Sequence, residues 1–309
     1  MTIFVETTLS SAAQMLLRQH LGGGHTLFFA TELPSTSRPT ALQQAEAILG
    51  NPPLAQVSDL PNLTFWQLDS AGFDKYAGLT MTIPVCNMGD YFAWPCAETI
   101  VAAVLALYRQ IDRLAVWQRQ RTWVGQTVRS GMRSLHGQRV IVLGAGAIGQ
   151  AVRSILLGFQ CDVRMLARTN PAADLHTIDE LLATLPGTDL LVNTLPGSAA
   201  GYVSEQVIAA MKLGSVFANV GRGSTVDEAA LIDALQRNHL GGAALDVTAQ
   251  EPIPPKNPLW TLENVLLTQH TAGGTGSEDE DKVMQFVRNL MHFQRREPLE
   301  NQIELARGY

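Results

Sequence analysis

The stretch Gly137–Thr169, GQRVIVLGAGAIGQAVRSILLGFQCDVRMLART, decides the reading of the whole chain. Val140–Leu143 is a short apolar run rich in β-branched residues, the pattern of a strand buried on both faces. Glycines follow at 144, 146 and 149, a helical segment begins near Ile148, and CDVRML returns to strand character. Strand, glycine turn, helix and strand within about 30 residues make one βαβ unit. Each glycine has a task there: a tight turn at Gly144, close approach of pyrophosphate to backbone at Gly146, and close packing of helix on strand at Gly149. Ala147 and Ile148 place their N–H groups at the helix start, where an anion is favoured. Because the GxGxxG follows a strand and opens a helix, the turn is expected to bind a dinucleotide.

The end of the second strand selects the dinucleotide. A carboxylate there accepts the ribose 2′-hydroxyl of NAD, whereas an arginine accommodates the 2′-phosphate of NADP. The chain reads Ala167-Arg168-Thr169, with no acid at the strand end. Arg168 and the Thr169 hydroxyl suit a phosphate through charge-assisted hydrogen bonds, so NADPH is expected to be the preferred cofactor and NADH a weaker one.

Working outward, short apolar runs recur at DLLVNTLP, SVFANVG, GGAALDV and NVLLTQH, several of them separated by helix-like segments. Such alternation predicts an α/β protein with a doubly wound parallel sheet of the Rossmann type. Upstream, strands near Ile3–Val5 and Leu27–Ala30, a helix near Ser11–His20, and the segments AEAILGN and LTFWQLDSAG describe a smaller α/β unit of flavodoxin-like character. Between the two, WPCAETIVAAVLALYRQIDRLAVWQRQ opens after Pro95 and spaces Ile100, Val104, Leu107, Ile111 and Leu114 as one long helix. Near the C-terminus, Ser277 and Glu280 have the spacing of a capping box, and the helix that follows is expected to pack on the N-terminal domain. The expected division is 1–98 with 275–309 as substrate domain, and 99–274 as dinucleotide-binding domain.

Bulk properties agree with two domains around a small-molecule cleft. A chain of 309 residues with 46% hydrophobic content exceeds one compact core. Its 28 acidic against 22 basic residues argue against a nucleic-acid partner, which requires clustered Lys and Arg. Cys86, Cys96 and Cys161 form no CxxC pair and have no histidines at ligand spacing, so no metal and no disulfide framework is expected. The longest apolar run, Ile100–Tyr108, is far shorter than the roughly 20 residues of a membrane span, and MTIFVETTLSS lacks a basic leader. A cytoplasmic protein without a membrane partner is the expectation.

Three further motifs carry chemistry: NVGRG with Arg222, QEP with Glu251 and TQH with His270. Arg222 and His270 closely follow apolar strand-like runs, and Glu251 comes a few residues after another, where the carboxyl ends of parallel strands border the ligand crevice. In this order and spacing, and together with the glycine turn, they make the chain resemble the D-isomer-specific 2-hydroxyacid dehydrogenases, within them the glyoxylate/hydroxypyruvate reductase branch. The resemblance is dense from Val140 to Gly273 and looser elsewhere. It implies a catalytic set of Arg222, Glu251 and His270 that reduces a small 2-oxo acid to a 2-hydroxy acid.

The residue types suit that chemistry. Arg222 presents a planar, permanently charged fork to a carboxylate and a carbonyl oxygen. Histidine titrates closest to working pH, which makes His270 the natural proton donor, and Glu251 on its other nitrogen would fix the tautomer and favour the protonated ring.

The resemblance further implies that Leu195 and Pro196 of TLPG, with Val220, line the cofactor and that Asp246 of LDV orients the nicotinamide carboxamide. It places the substrate carboxylate on the N–H groups of Ala71 and Gly72 in DSAGFD, a small-residue loop able to form an anion nest. It also implies a homodimer through the helix region 97–120. Two departures stand out: GSAAG follows LP where threonines are common, and Gln269 replaces the proline that often precedes the histidine. Phe73, Tyr76, Tyr91, Phe92 and Trp94 either wall a pocket for glyoxylate, hydroxypyruvate or a bulkier aryl or branched oxo acid, or belong to the core. The competing class is a dinucleotide-sensing regulatory protein on the same fold.

Overall fold

The protein is described by a computed structural model covering residues 1–307, and it divides into two compact units, Met1–Tyr91 with Thr275–Tyr309, and Phe92–Gly274. The first boundary falls before residue 98, because the helix Ala93–Arg109 belongs wholly to the second unit. There it packs along the helix Ala147–Gly158.

In the first unit, β1 (Thr2–Val5), β2 (Thr26–Phe29), β3 (Ala47–Leu49), β4 (Phe65–Gln67) and β5 (Val85–Cys86) form a parallel sheet in the order β5-β4-β3-β1-β2. This is the flavodoxin-like order. Gln302–Ile303 adds an antiparallel edge on β5. The helices Ser11–Leu21 and Glu278–Arg295 cover one face, where Leu17, Val283, Phe286 and Leu290 close over Ile3, Val5 and Phe65. Phe4, Trp66 and Tyr76 fill the other face. Phe73 and Tyr76 are therefore core residues, not the walls of an open pocket.

Ser277 does not form the capping box its spacing predicts. Its backbone lies at φ −109° and ψ 9°, and its hydroxyl donates to Asp281 Oδ2 at 2.7 Å. A capping box forms instead at Thr177 and Glu180, where each side chain meets the other's backbone N–H.

The second unit contains β6 (Arg139–Leu143), β7 (Asp162–Leu166), β8 (Leu190–Asn193), β9 (Val216–Asn219), β10 (Gly242–Leu245) and β11 (Val265–Leu267). All pairings are parallel, in the order β11-β10-β9-β8-β6-β7, so the winding reverses between β6 and β8. In such a sheet the ligand crevice lies outside the carboxyl ends of the strands at that reversal.

The single long helix predicted from Pro95 to about Gln120 is two helices. The first starts at Ala93, with Pro95 in its first turn, where a missing N–H costs nothing. Gln110 ends it in the left-handed region at φ 55°, its N–H directed to the Ala106 and Leu107 carbonyls. Ile111–Arg119 then runs as a separate helix with no buried residue, leaving Ile111 and Val116 exposed. The periodic stripe continued through the break, but the burial did not.

Candidate active site

The glycine turn joins β6 to the helix Ala147–Gly158. A Cβ on Gly149 would lie 2.1 Å from the Gly144 carbonyl oxygen, so only glycine lets the helix approach the strand this closely. The helix start at Gly146 has no side-chain cap and no acid in its first turn, and a Cβ on Gly146 would meet open space. Uncapped N–H groups facing open space are what a pyrophosphate needs. At the end of β7, Arg168 and Thr169 are exposed, and Arg168 lies near enough to Tyr202 to oppose the rise that burial imposes on its phenol. These residues fit a nicotinamide dinucleotide. Leu195 directs its N–H to Asn193 Oδ1, and Val220 is buried with its N–H on the Asn193 carbonyl.

Three adjacent strands deliver the remaining residues: β9 leads to Arg222, β10 to Asp246 and β11 to His270. At about 4.8 Å between neighbouring strands, their ends span roughly 10 Å. Nδ1 of His270 stands 2.5 Å from Glu251 Oε2, and the second carboxylate oxygen of Glu251 accepts the Thr248 N–H at 3.0 Å. The imidazole is half exposed, which leaves its outer edge open to a ligand. An apolar cavity of about 400 Å³ adjoins the pair, with Ile253, Trp260 and Leu267 among its walls.

Arg222 is half-buried at a tightly built corner. Its carbonyl accepts from Thr225 Oγ1 at 2.6 Å and from Asn219 Nδ2 at 3.3 Å, and its Nη1 donates to the Gly221 carbonyl. The glycine after it is required by packing, since a Cβ on Gly223 would lie 1.8 Å from the Thr248 carbonyl oxygen. Asp246 is buried, and Oδ1 of its carboxylate accepts from Thr268 Oγ1 and from the N–H groups of Thr271 and Ala272. Cys96, on the helix Ala93–Arg109, is pushed up to about 12 by burial and then by the Asp246 carboxylate, against an opposing pull from Arg222.

Several supporting residues escaped the sequence reading. Asn193 and Asn219, the last residues of two apolar strands, brace the Arg222 corner together with Thr225. Glu228 holds the loop that carries Glu251, accepting from the Ala249 N–H and from Asn257 Nδ2. The legible signal was a lone asparagine closing each of the runs LLVN and VFAN. In the first unit, the carbonyls of Ala71 and Gly72 accept from Asn87 Nδ2 and Ser70 Oγ, while their own N–H groups donate to nothing among the described residues.

A family model for the NAD binding domain of D-isomer specific 2-hydroxyacid dehydrogenases matches residues 101–272. The glyoxylate/hydroxypyruvate reductase A of Arabidopsis thaliana is 31% identical over 258 residues, which cover 80% of this chain and 82% of that protein. The enzyme of the same name from Yersinia enterocolitica is 31% identical over 219 residues, 69% of this chain and 68% of that one. A D-isomer specific 2-hydroxyacid dehydrogenase from Xanthobacter autotrophicus Py2, solved in complex with NADPH and MES, has a TM-score of 0.80 at 27% identity, over 100% of this chain and 99% of that chain. The matched family segment contains Arg222, Glu251 and His270 together with the strands that carry them, and the chain belongs to the D-isomer specific 2-hydroxyacid dehydrogenases.

Proposed function

We propose that the protein reduces a 2-oxo acid of the glyoxylate or hydroxypyruvate type to the D-2-hydroxy acid, with NADPH preferred and NADH weaker. The observation that carries this reading is the His270–Glu251 pair at 2.5 Å, set at the carboxyl end of the same sheet whose β6 leads into an uncapped glycine turn. A sensor of the dinucleotide needs the turn alone; a carboxylate-held imidazole serves proton transfer.

Gly144, Gly146, Ala147, Ile148 and Gly149 would hold the pyrophosphate, Arg168 and Thr169 the 2′-phosphate, and Leu195, Pro196 and Val220 the cofactor's inner face. When bound, the reduced nicotinamide supplies the hydride. Arg222 holds the oxo acid by its carboxylate and draws charge toward the carbonyl oxygen, a role for which its fixed fork and permanent charge are suited. In the first unit, the backbone N–H groups of Ala71 and Gly72 are the donors proposed for a substrate carboxylate. Glu251 keeps a proton on Nδ1 of His270, so the proton on Nε2 is the one delivered to the developing alkoxide. Asp246 remains the acceptor assigned to the carboxamide. A homodimer through the helix region 97–120, where Ile111 and Val116 are exposed, is part of the same reading. No helix among the described residues is long and apolar enough to cross a membrane.

A second reading, reduction of an aryl or branched 2-oxo acid, is favoured by the apolar cavity beside His270. One experiment serves both: NADPH and NADH oxidation with glyoxylate, hydroxypyruvate, phenylpyruvate and branched oxo acids. The small acids should show the highest kcat/KM, and His270→Ala should lower turnover by about 10²- to 10⁴-fold while cofactor binding persists. Turnover of no oxo acid by a protein that still binds NADPH would overturn the enzyme reading in favour of a sensor.

A further inference from the structure

We propose that Asp246 is a positioning residue for His270: it holds the turn Thr268–Thr271 in a conformation that the residues of the turn resist, and so fixes where the imidazole stands. The inference rests on the reading of His270 as proton donor.

The turn closes with the Thr271 N–H donating to the Thr268 carbonyl at 3.3 Å. Its two central residues, Gln269 and His270, have φ of 56° and 55°. Two successive left-handed residues under such a bond match the type I′ turn, normally the place of Asn and Gly, because a Cβ there crowds the next carbonyl oxygen. Gln269 has none of that tolerance and His270 only a little. Left to local preference, this segment would relax out of the turn and carry the imidazole with it.

Asp246 supplies what opposes that relaxation. Its Oδ1 accepts from Thr268 Oγ1 at 2.6 Å, from Thr271 N at 3.0 Å and from Ala272 N at 3.2 Å, while its backbone carbonyl accepts from His270 N at 2.6 Å. One buried residue thereby grips the turn at its entry, at its centre and at its exit. Thr99 Oγ1 holds the exit from the other side, donating to the Ala272 carbonyl at 3.1 Å. Strain retained at a reacting group is held by surroundings that over-determine it, which is the arrangement found here.

The clamp also explains the residue before the histidine. Proline fixes φ at about −65° and cannot occupy the left-handed position that Gln269 takes. In this chain, the loss of proline and the clamped turn belong together.

The test uses Thr268→Val, which deletes one bond to Asp246 without touching its charge, and Thr268→Ser, which keeps the hydroxyl. With the oxo acid that turns over best, Val should lower kcat by about tenfold or more, since small misplacement of a reacting group is costly. It should leave the KM for NADPH unchanged and displace the pH profile of kcat/KM; Ser should restore both. Gln269→Asn placed in the Val background should recover activity, because Asn accepts the left-handed region. Imidazole 15N resonances, assigned by their loss in His270→Ala, supply a readout independent of substrate: the His270 signal should move in Val and return in Ser. A His270 signal and a kcat unchanged in Val, or a loss equal in Val and Ser, would overturn the clamp. A moved signal in a protein whose His270→Ala variant stays fully active would instead leave the clamp standing and remove His270 as proton donor.

Discussion

Asn193 and Asn219 end neighbouring parallel strands and meet side chain to side chain, Nδ2 of the first donating to Oδ1 of the second at 3.0 Å with both residues buried. The same Asn219 oxygen accepts the Gly221 N–H at 3.0 Å, and its amide nitrogen reaches the Arg222 carbonyl. Asn219→Ala leaves the Gly221 N–H without its partner and removes one of the bonds to the Arg222 carbonyl, which keeps Thr225 Oγ1. A buried group left without its partner costs about 1–3 kcal/mol, and 1.4 kcal/mol is tenfold in an equilibrium. Steady-state kinetics of Asn219→Ala should therefore show kcat/KM for the oxo acid falling on the order of tenfold. NADPH affinity measured by fluorescence titration should change far less.

The contact of Gly149 with Gly144 makes a sharper demand. Alanine at 149 would put a methyl group 2.1 Å from a carbonyl oxygen, and neither partner is a flexible side-chain end. The helix must shift away from β6, and its N-terminal amides shift with it. Overpacking of this kind costs about 1–3 kcal/mol. Gly149→Ala should lower the melting temperature and weaken NADPH by about tenfold or more, both readable in one thermal-shift series with and without NADPH. A variant that melts and binds like the parent would show that the turn tolerates a wider helix approach than the geometry implies.

The doubly wound sheet was legible because buried parallel strands write themselves as continuous apolar runs, and each of DLLVN, SVFAN, GGAAL and NVLL became a strand. The glycine turn was legible for a similar reason, since its spacing reflects steric limits at the backbone. What periodicity could not carry was the end of burial at Gln110, where the left-handed cap falls on a residue that gives no warning of it. Ser277 misled because a capping box depends on the backbone angles at the cap, and the sequence states only the residue types. The supporting shell was least legible. Asp246 stood out by its neighbours in LDV, but its grip on the Thr268–Thr271 turn is a long-range arrangement that no local spacing encodes.

The three cysteines give a test of burial that does not involve activity. Burial, followed by the Glu300 carboxylate, pushes the Cys86 thiol up to about 12; burial, followed by the Asp246 carboxylate, does the same for Cys96, and burial raises Cys161 as well. The thiolate is the reactive species, and at pH 8 a thiol titrating near 12 is ionised to about one part in ten thousand. In the folded protein at pH 8, alkylation by iodoacetamide should be slow at all three, while the unfolded chain should take up three equivalents. Mass spectrometry of intact protein checks this, and rapid labelling of native Cys96 would contradict the packing of the helix Ala93–Arg109 against the Arg222 corner.

In the proposed function Arg168 is the residue assigned to the NADPH preference, and its exposure sets the size of the expected effect. The guanidinium stands at the end of β7 with no carboxylate beside it on the strand end, so a 2′-phosphate gains a charge-assisted partner there and a 2′-hydroxyl gains little. Losing one hydrogen bond to a charged group costs about 1.5–3 kcal/mol, which corresponds to roughly tenfold to a hundredfold in affinity. Solvent screening at an exposed site pulls the expected loss toward the lower end of that range. Arg168→Ala should accordingly weaken NADPH by about tenfold and leave NADH nearly unchanged, and raising the salt concentration should narrow the gap between parent and variant for NADPH alone. Parallel titrations with the two cofactors at low and high salt decide the matter: equal losses for both would remove Arg168 from the 2′-phosphate site, because a residue that merely steadied the turn would weaken them alike.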